Sequence, residues 1–269
     1  MRVHVELSSR VESLAADTSH GASWLAKEAL ETLVESVELG GDPLETARAL
    51  VRARPAIGSI AGALGRVLAS GRTPEQLVEE AHAVIAGRER AAATIAVILA
   101  PDLIERIVMT HSASATAREA LIHAPAERVV CTVSDPIGEG RAFSEELAAA
   151  DLTTDLVADD DAKHAVGTVD LLLLGADTVF RDGSLVNKIK TNGLVRAAKK
   201  AGVPVVVACE VLKLAPVDPY EPDEDRVDLT PPDLIDRYVT EEGMIAPDEI
   251  AALVDRTPFL REGYELLLG

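Results

Sequence analysis

The chain has 269 residues, 48% of them apolar, which is enough to bury a sizeable hydrophobic core in one large or two modest domains. It carries 45 acidic and 26 basic residues, a formal net charge of −19 at pH 7. Such a charge repels phosphate backbones, and because the sequence shows no basic patch, the composition argues against a DNA-binding or RNA-binding protein. An acidic chain is also kept soluble in concentrated salt, where ions screen its self-repulsion, so we expect a halophilic source.

The two cysteines, Cys131 and Cys209, each lie inside an apolar run, which is typical of buried structural thiols in a reducing compartment. No residues are spaced as a metal-ligand set or a cofactor motif, so we expect neither a metal nor a cofactor. The sequence has no N-terminal signal segment and no apolar run long enough to span a membrane. We therefore expect a cytoplasmic protein without a membrane partner.

From about Leu14 to Leu99, apolar residues recur at spacings of three and four, the period of helices with one buried face. Asp42 and Thr73 precede two of these segments at positions suited to N-capping. Residues 1–100 are therefore predicted to form an N-terminal helical bundle domain.

After Pro101 the pattern changes to short β-branched runs that alternate with helical stretches. Strands are predicted in "RIVMT", "RVVCTVS", "TVDLLLLG" and "VPVVVACE", with helices in "ATAREALIH", "GRAFSEELAAA" and "NGLVRAAKKAG". Continuous apolar strands separated by helices are typical of a parallel sheet covered on both faces. Residues 101–269 are therefore predicted to form an α/β, Rossmann-like, doubly wound parallel-sheet domain, which binds ligands beyond the carboxyl ends of its strands.

Polar side chains follow three of these strands, at the edge where such sheets bind ligands. The candidates are His111, Ser112 and Ser114 after the first strand, Arg141 after the second, and Asp177, Asn187 and Lys188 after the third. We predict one composite pocket, in which a helix N-terminus holds an anion, Arg141 grips a phosphate, and Asp177 binds hydroxyl groups or transfers a proton. The local sequence leaves three alternatives open, since Ser114 could cap a helix, Arg141 could make a surface ion pair, and Asp177 could cap a turn while Lys188 is a solvated lysine.

Several segments, in this order along the chain, carry a resemblance to a known family. They are "SHGASWLAKEAL", "RPAIGSI", "SDPIGEGRAFSEEL", "GADTVFRDGSLVNKIKTNGLVRAAKKAGVPVVVACEVLK" and "VDLTPPDLIDRYVTEEGMIAP". They resemble the α, β and δ regulatory subunits of eukaryotic translation initiation factor 2B, together with methylthioribose-1-phosphate isomerase and archaeal ribose-1,5-bisphosphate isomerase. The resemblance covers nearly the whole chain.

The resemblance implies a ligand cleft between the two domains, a phosphorylated sugar or nucleotide as ligand, and a homodimer or higher oligomer. The isomerases of the family convert an aldose 1-phosphate to a ketose 1-phosphate with a cysteine and the aspartate of "GAD", which corresponds to Asp177. The cysteine position corresponds to Ser112. The other implied ligand-binding residues are His20, Gly21, Arg54, His111, Ser112, Ser114, Arg141, Asn187 and Lys188.

The departures from the family pattern bear on function. A serine hydroxyl is far less acidic than a thiol, so Ser112 moves a proton only with the help of a base such as His111. His20 stands where the family has a phosphate-holding arginine, and Ala56 replaces a threonine. Our first interpretation is therefore a regulatory-subunit-like protein that binds a phosphorylated sugar or nucleotide without catalysis. The alternatives are a sugar-phosphate isomerase of the ribose-1,5-bisphosphate or methylthioribose-1-phosphate type, and an assembly partner with a vestigial pocket.

The C-terminal segment "TPFLREGYELLLG" adds a second reason to expect an oligomer. Its leucines at positions 260, 266, 267 and 268 need cover from water, which a partner subunit could provide.

Overall fold

The computed structural model describes the backbone of residues 2–269 and the side chains of residues 8–269. The first part of the chain is helical, as predicted, and its helices are α1 (Arg2–Ala16), α2 (Ala22–Glu38), α3 (Pro43–Ala53), α4 (Gly58–Ser70) and α5 (Pro74–Leu103). Both predicted N-caps are confirmed. The Asp42 carboxylate accepts the amides of residues 44 and 45, and Thr73 forms a capping box with Gln76.

The second part alternates strands and helices. Its elements are β1 (Ile107–Thr110), α6 (Ala115–His123), β2 (Arg128–Thr132), α7 (Glu139–Ala149), β3 (Thr154–Val157), α8 (Asp159–Ala165), β4 (Leu171–Leu174), β5 (Thr178–Phe180), β6 (Leu185–Lys188), α9 (Thr191–Ala201), β7 (Val205–Ala208), β8 (Leu214–Ala215), β9 (Val227–Thr230), β10 (Arg237–Thr240), β11 (Gly243–Ile245), α10 (Ile250–Asp255) and α11 (Pro258–Leu268).

The main sheet has seven strands in the order β11-β10-β7-β4-β1-β2-β3, and all neighbours are parallel except β10 and β11. This arrangement confirms the predicted Rossmann-like sheet. The chain runs outward from β1 through β2 to β3 and then returns to place β4 on the other side of β1. The gap between the ends of β1 and β4 is therefore the topological switch point, where ligands bind in sheets of this type.

A second, four-stranded sheet of order β8-β5-β6-β9 was not predicted from the sequence. Its centre is the antiparallel hairpin of β5 and β6, which turns at Gly183, a residue with φ of +86°. The Asp182 carboxylate accepts the Ser184 amide and hydroxyl and closes the turn. Because the hairpin doubles back, it returns Asn187 and Lys188 towards the carboxyl end of β4.

The N-terminal helices and the C-terminal helix share a hydrophobic core. Helix α5 runs past residue 100 and packs on α6, while α11 packs on α4, with Tyr264 and Leu267 in the core of the N-terminal helices. The division into domains at residue 100 stays a prediction. One premise of the oligomer expectation is wrong, since Leu260 and Leu267 are covered within the chain. Of the four leucines, only Leu266 and Leu268 still need cover from a partner, because they are 38% and 63% exposed.

None of the helices in the described part of the chain is both long and apolar enough to cross a membrane.

Candidate functional site

A cavity of about 370 Å³ lies at the switch point, between the ends of β1 and β4 and the start of α2. Nine of the residues singled out in the sequence line it, namely His20, Gly21, Arg54, His111, Ser112, Ser114, Asp177, Asn187 and Lys188. Arg141 does not. It lies near the start of α7 with an exposed side chain, so the structure does not bring it to the cavity wall.

The loops after β1 and β2 are held in an unusual backbone conformation. Ser112 and Ser134 both have φ of +65°, a left-handed conformation that costs roughly 1–3 kcal/mol for a residue with a side chain. The Ser112 amide donates to Ser134 Oγ at 2.9 Å, and the amides of Ser134 and Asp135 donate to the Asp159 carboxylate at 2.7 and 2.9 Å. These bonds fix where the Ser112 hydroxyl points.

His111 is buried and both of its ring nitrogens are occupied. Nε2 lies 2.9 Å from the carbonyl oxygen of Ile189, which can only accept, so Nε2 carries the proton. Nδ1 then accepts from the Thr132 hydroxyl at 2.7 Å. Burial lowers the pKa of His111, which keeps the ring neutral. The expectation that His111 could serve as a base for Ser112 is therefore wrong, because its free lone pair already binds Thr132.

The partner of Ser112 is Glu139 instead. The Ser112 hydroxyl donates to Glu139 Oε1 at 2.7 Å. Lys188 Nζ lies 2.8 Å from the same oxygen and donates to Oε2 at 3.0 Å. Glu139 is the first residue of α7, where the helix dipole favours a carboxylate. The sequence signal for it, an acidic residue in the "GEGR" turn, was present but was not singled out.

Lys188 is only 7% exposed, so the expected solvated lysine is instead a buried partner of Glu139. Removing its ammonium group would leave the Glu139 carboxylate without its counter-ion, and such changes destabilise proteins. We therefore expect a stability cost for Lys188→Ala, in contrast to the small effect of losing a solvated lysine.

Asp177 follows β4 and faces the cavity. The backbone just before Asp177 packs closely against Ser114. Gly175 allows this contact, because a Cβ at that position would lie 2.5 Å from Ser114 Oγ. Burial raises the pKa of Asp177 to about 6, although Lys213 and Arg54 act in the opposite direction. Within the described residues its carboxylate makes no hydrogen bond and no ion pair at 4 Å or closer. A carboxyl group of this kind can both hold and release a proton near neutral pH.

A buried ion chain positions a second lysine in the cavity wall. Lys213 is 3% exposed and lies 3.3 Å from Glu210, which is itself 4.0 Å from Arg88 of α5. Burial alone would raise the pKa of Glu210, but the two cations reverse the shift and lower it. Arg88 also donates to the carbonyl oxygen of Ser23 at 2.6 Å, which ties the start of α2 to this chain.

The rim of the cavity is formed by residues before and within α2. His20 stacks on Trp24, with ring centroids 3.7 Å apart, and its Nδ1 lies 2.7 Å from the Asp17 carboxylate. Arg54 donates to the carbonyl oxygen of Asp17 at 2.6 Å. The segment after Arg54 is fastened to the hairpin, because Thr178 accepts the amide of residue 58 and donates to the carbonyl of residue 56.

The cavity wall carries an excess of positive charge in an acidic protein. Its cationic side chains are Arg54, Arg118, Lys188, Lys213 and Arg226, and its carboxylates are Glu139, Glu146 and Asp177. Such an excess favours an anionic ligand. Arg118 and Arg226 were missed in the sequence because they lie outside the turns that directly follow the predicted strands. Lys213 follows the predicted strand "VPVVVACE" but was not singled out.

The remaining candidates take structural roles as well as lining the cavity. Ser114 accepts the Ala117 amide at 3.2 Å and so caps α6, as one alternative proposed. The side-chain Nδ2 of Asn187 donates to the Thr191 hydroxyl at 3.3 Å. Cys131 is 1% exposed in the core, as expected, and burial raises the pKa of its thiol to about 11.

Comparison with known proteins places these residues in a family. The model of the initiation factor 2 subunit family matches residues 18–226. The chain belongs to this family. A relative from Haloferax volcanii named ribose 1,5-bisphosphate isomerase is 30% identical over 300 residues, which cover 94% of this chain and 93% of that protein.

Solved structures show the same fold. Translation initiation factor eIF-2B from Pyrococcus horikoshii matches with a TM-score of 0.82 and 24% identity, covering 90% of this chain and 97% of that one. A chain of the tetrameric eIF2B beta–delta complex from C. thermophilum matches with a TM-score of 0.81 and 19% identity, covering 94% and 95%.

Proposed function

We propose that this family member is an aldose–ketose isomerase that acts on a sugar 1-phosphate, with ribose 1,5-bisphosphate as the first candidate substrate. The observation that carries the proposal is the Asp177 carboxyl group, which faces the cavity without a protein partner among the described residues and has a pKa of about 6. The name of the Haloferax volcanii relative supports this alternative better than our first, non-catalytic interpretation.

The chemistry requires two proton transfers and one hydrogen transfer. The bond between C1 and the ring oxygen breaks, and the ring oxygen takes a proton from an acid. The hydrogen on C2 moves to C1 with its electron pair, while a base takes the proton of the C2 hydroxyl and leaves a ketone at C2. In this proposal Asp177, in its protonated form, is the acid.

The other cavity residues would bind and orient the substrate. The start of α6 and the cationic side chains would hold its phosphate groups, with Lys213 fixed by its buried ion chain. Asn187 would bind a sugar hydroxyl. We also propose that His20, Gly21, Arg54, Ser114 and Lys188 contribute to ligand binding, as expected from the sequence, and that His111 acts by fixing the loop after β1.

The direct test is turnover of ribose 1,5-bisphosphate, followed by ³¹P NMR in buffer that contains molar potassium chloride. Wild type should convert the 1-phosphate of an aldose to that of a 2-ketose. Asp177→Asn should lower kcat by about 10²–10⁴, the usual contribution of a general acid. Asp182→Asn, in the hairpin turn and outside the cavity, is a matched control. A wild type that turns over no sugar 1-phosphate would refute the proposal.

A regulatory ligand-binding role is the second candidate, because Ser112 supplies a hydroxyl where the family's isomerases have a thiol. It predicts binding without turnover. Trp24 is the sole tryptophan and lies at the cavity rim, so its fluorescence reports on bound sugar phosphates or nucleoside monophosphates. Saturable quenching without product supports this role. The absence of both binding and turnover supports the third interpretation, an assembly partner with a vestigial pocket.

A further inference from the structure

Glu139 lies where it can accept the proton that Ser112 would have to pass on. Its Oε1 atom receives the Ser112 hydroxyl at 2.7 Å, and both of its oxygens are held by Lys188 at 2.8 and 3.0 Å. The pair is shielded from bulk water, because the side chains of Lys188 and Glu139 are 8% and 17% exposed. Both Ser112 and Glu139 line the cavity.

The direction of the hydrogen bond matters. The Ser112 hydroxyl donates a hydrogen bond to Glu139 Oε1, so the lone pairs of Oγ remain available to the cavity. The Ser112 amide is bound to Ser134 and the left-handed backbone turns the residue out of β1, so Oγ cannot easily turn away. A substrate hydroxyl that enters the cavity can donate to this oxygen.

We propose that Glu139 is the proton acceptor of the isomerisation and acts through the Ser112 hydroxyl, which replaces a thiol. The inference deepens the proposed function and rests on it. The C2 hydroxyl of the substrate gives its proton to Ser112 Oγ, while Ser112 gives its own proton to Glu139 Oε1. The electron pair of the C2 O–H bond forms the ketone at C2, and the hydrogen of C2 moves to C1 with its electron pair. The bond between C1 and the ring oxygen breaks, and the ring oxygen takes the proton of Asp177. Proton exchange with water then restores both carboxyl groups.

No other carboxylate or imidazole of the described chain is hydrogen-bonded to the Ser112 hydroxyl. In the neutral ring of His111, Nδ1 accepts from the Thr132 hydroxyl and Nε2–H donates to the Ile189 carbonyl. Lys188 can donate but not accept, so it orients the Glu139 carboxylate rather than taking the proton. Glu139 acts through Ser112 and is therefore a positioning residue, whereas Ser112 touches the substrate.

A purely structural Glu139 would only neutralise Lys188 and interact with the dipole at the start of α7. The first test checks, without any substrate, that the Glu139 carboxylate acts on position 112 in solution, and the kinetic test below separates the two roles. In Ser112→Cys, the introduced thiol replaces the hydroxyl, while Cys131 and Cys209 stay buried and unreactive. The charged groups of the neighbouring elements that line the cavity are Glu139 and Glu146 of α7, Lys188 of β6, Arg118 of α6 and Asp177 after β4, beside neutral His111.

Adding Glu139→Gln removes a negative charge beside the thiol and leaves Lys188 unpaired. Both effects favour the thiolate, so the pH midpoint of iodoacetamide alkylation should fall by about one unit relative to Ser112→Cys alone. Glu145→Gln is the matched control, because Glu145 lies on the same helix with an exposed side chain and does not line the cavity. Its addition should leave the midpoint unchanged. Equal midpoints in all three proteins would overturn the proposal, because Glu139 would not face position 112 in solution.

The second test is kinetic. Glu139→Gln should lower kcat by about 10²–10⁴ with little change in KM, and the acidic limb of the pH profile that belongs to the base should disappear. Ser112→Ala should have a similar effect, and the double variant should be no worse than either single one, because both remove the same proton path. Glu139→Asp should recover part of the activity, and Glu145→Gln should match wild type.

The outcomes separate the two proposals. If wild type turns over and Glu139→Gln keeps its kcat and its pH profile, the role of Glu139 is refuted and the isomerase proposal stands. If wild type turns over no sugar 1-phosphate, the isomerase proposal fails and the proton path fails with it, even where the alkylation shift is seen.

Discussion

Asp177 carries a carboxyl group whose buried environment disfavours its charged form. Burial raises its pKa from 3.8 to about 6. The folded state therefore binds this proton more tightly than the unfolded state, and the free energy of unfolding falls as the pH rises from about 4 to about 6. Well above pH 6 the loss of stability is complete, and the full pKa shift corresponds to about 3 kcal/mol of free energy of unfolding. The side chain keeps some contact with the cavity, so water offsets part of this cost.

We predict that Asp177→Asn is more stable than wild type at pH 7.5 by about 1–3 kcal/mol, since the neutral amide avoids the buried charge. The difference should shrink as the pH falls through 6, be small near pH 4, and vanish below about pH 3, where the carboxyl group is protonated in both states. Urea unfolding at pH 7.5 and pH 4.5 measures it. A difference that does not change with pH, or an asparagine variant less stable at pH 7.5, would contradict the raised pKa.

At the scale of single residues, the sequence located some members of the site but not their hydrogen-bond partners. Asp177 and Ser112 could be predicted because they directly follow apolar strands, and ligands bind at that edge. Glu139 and Ile189 could not be assigned to Ser112 and His111, because they are 27 and 78 positions away and only the tertiary fold brings them together. Arg141 was misplaced for the same reason, since one turn of helix decides which side chain faces the cavity.

At the scale of elements, the contact between α4 and α11 joins the N-terminal helices to the C-terminal helix. Gly65 and Gly263 face each other, so that a Cβ on Gly263 would lie 2.5 Å from the backbone of Gly65. The absence of both side chains lets the two helices approach closely. The contact also carries Tyr264 into the core of the N-terminal helices.

We predict that Gly263→Ala destabilises the protein by about 1–3 kcal/mol, because the helices must separate and this cost exceeds the gain in helix propensity. Gly87→Ala in α5 is the control. Its Cβ would meet only the end of the Arg90 side chain, at 3.7 Å, so it should be neutral or stabilising by up to about 1 kcal/mol. Equal effects of the two substitutions on the urea midpoint would show that α4 and α11 are not in close contact.

Four of the seven strands of the main sheet, β1, β2, β4 and β7, could be predicted because they are continuous apolar runs separated by helices, whereas β3, β10 and β11 are not. The second sheet could not, since its strands have two to four residues and lack that pattern. The path of α11 could not be predicted either. Its amphipathic sequence required a partner, and we assigned its leucines to another subunit, whereas Leu267 is buried in the core of the N-terminal helices and Leu260 in the core of the sheet domain.

For the whole molecule, assembly into a homodimer or higher oligomer stays a prediction. It now rests on the exposed Leu266 and Leu268. Sedimentation in molar salt should give at least a dimer at micromolar concentration. A monomer under those conditions would contradict it.

The net charge of −19 is the property of the whole molecule with the clearest consequence. Like charges lie closer together in the folded state than in the unfolded chain, so their repulsion lowers the free energy of unfolding. Added salt shortens the Debye length from about 10 Å at 0.1 M to about 3 Å at 1 M and screens this repulsion.

We predict that the melting temperature rises with potassium chloride between 0.1 and 2 M, as a halophilic protein requires. A variant with Glu221→Gln, Asp223→Asn and Asp225→Asn removes three negative charges from one exposed loop, so it should melt higher than wild type at 0.1 M and gain less from added salt. Glutamine and asparagine keep the size of the side chains, which leaves charge as the variable. Calorimetry of both proteins at several salt concentrations measures the two slopes. Parallel slopes would mean that salt acts through apolar burial rather than through screening, and a wild-type melting temperature that is flat or falling would contradict the halophilic interpretation.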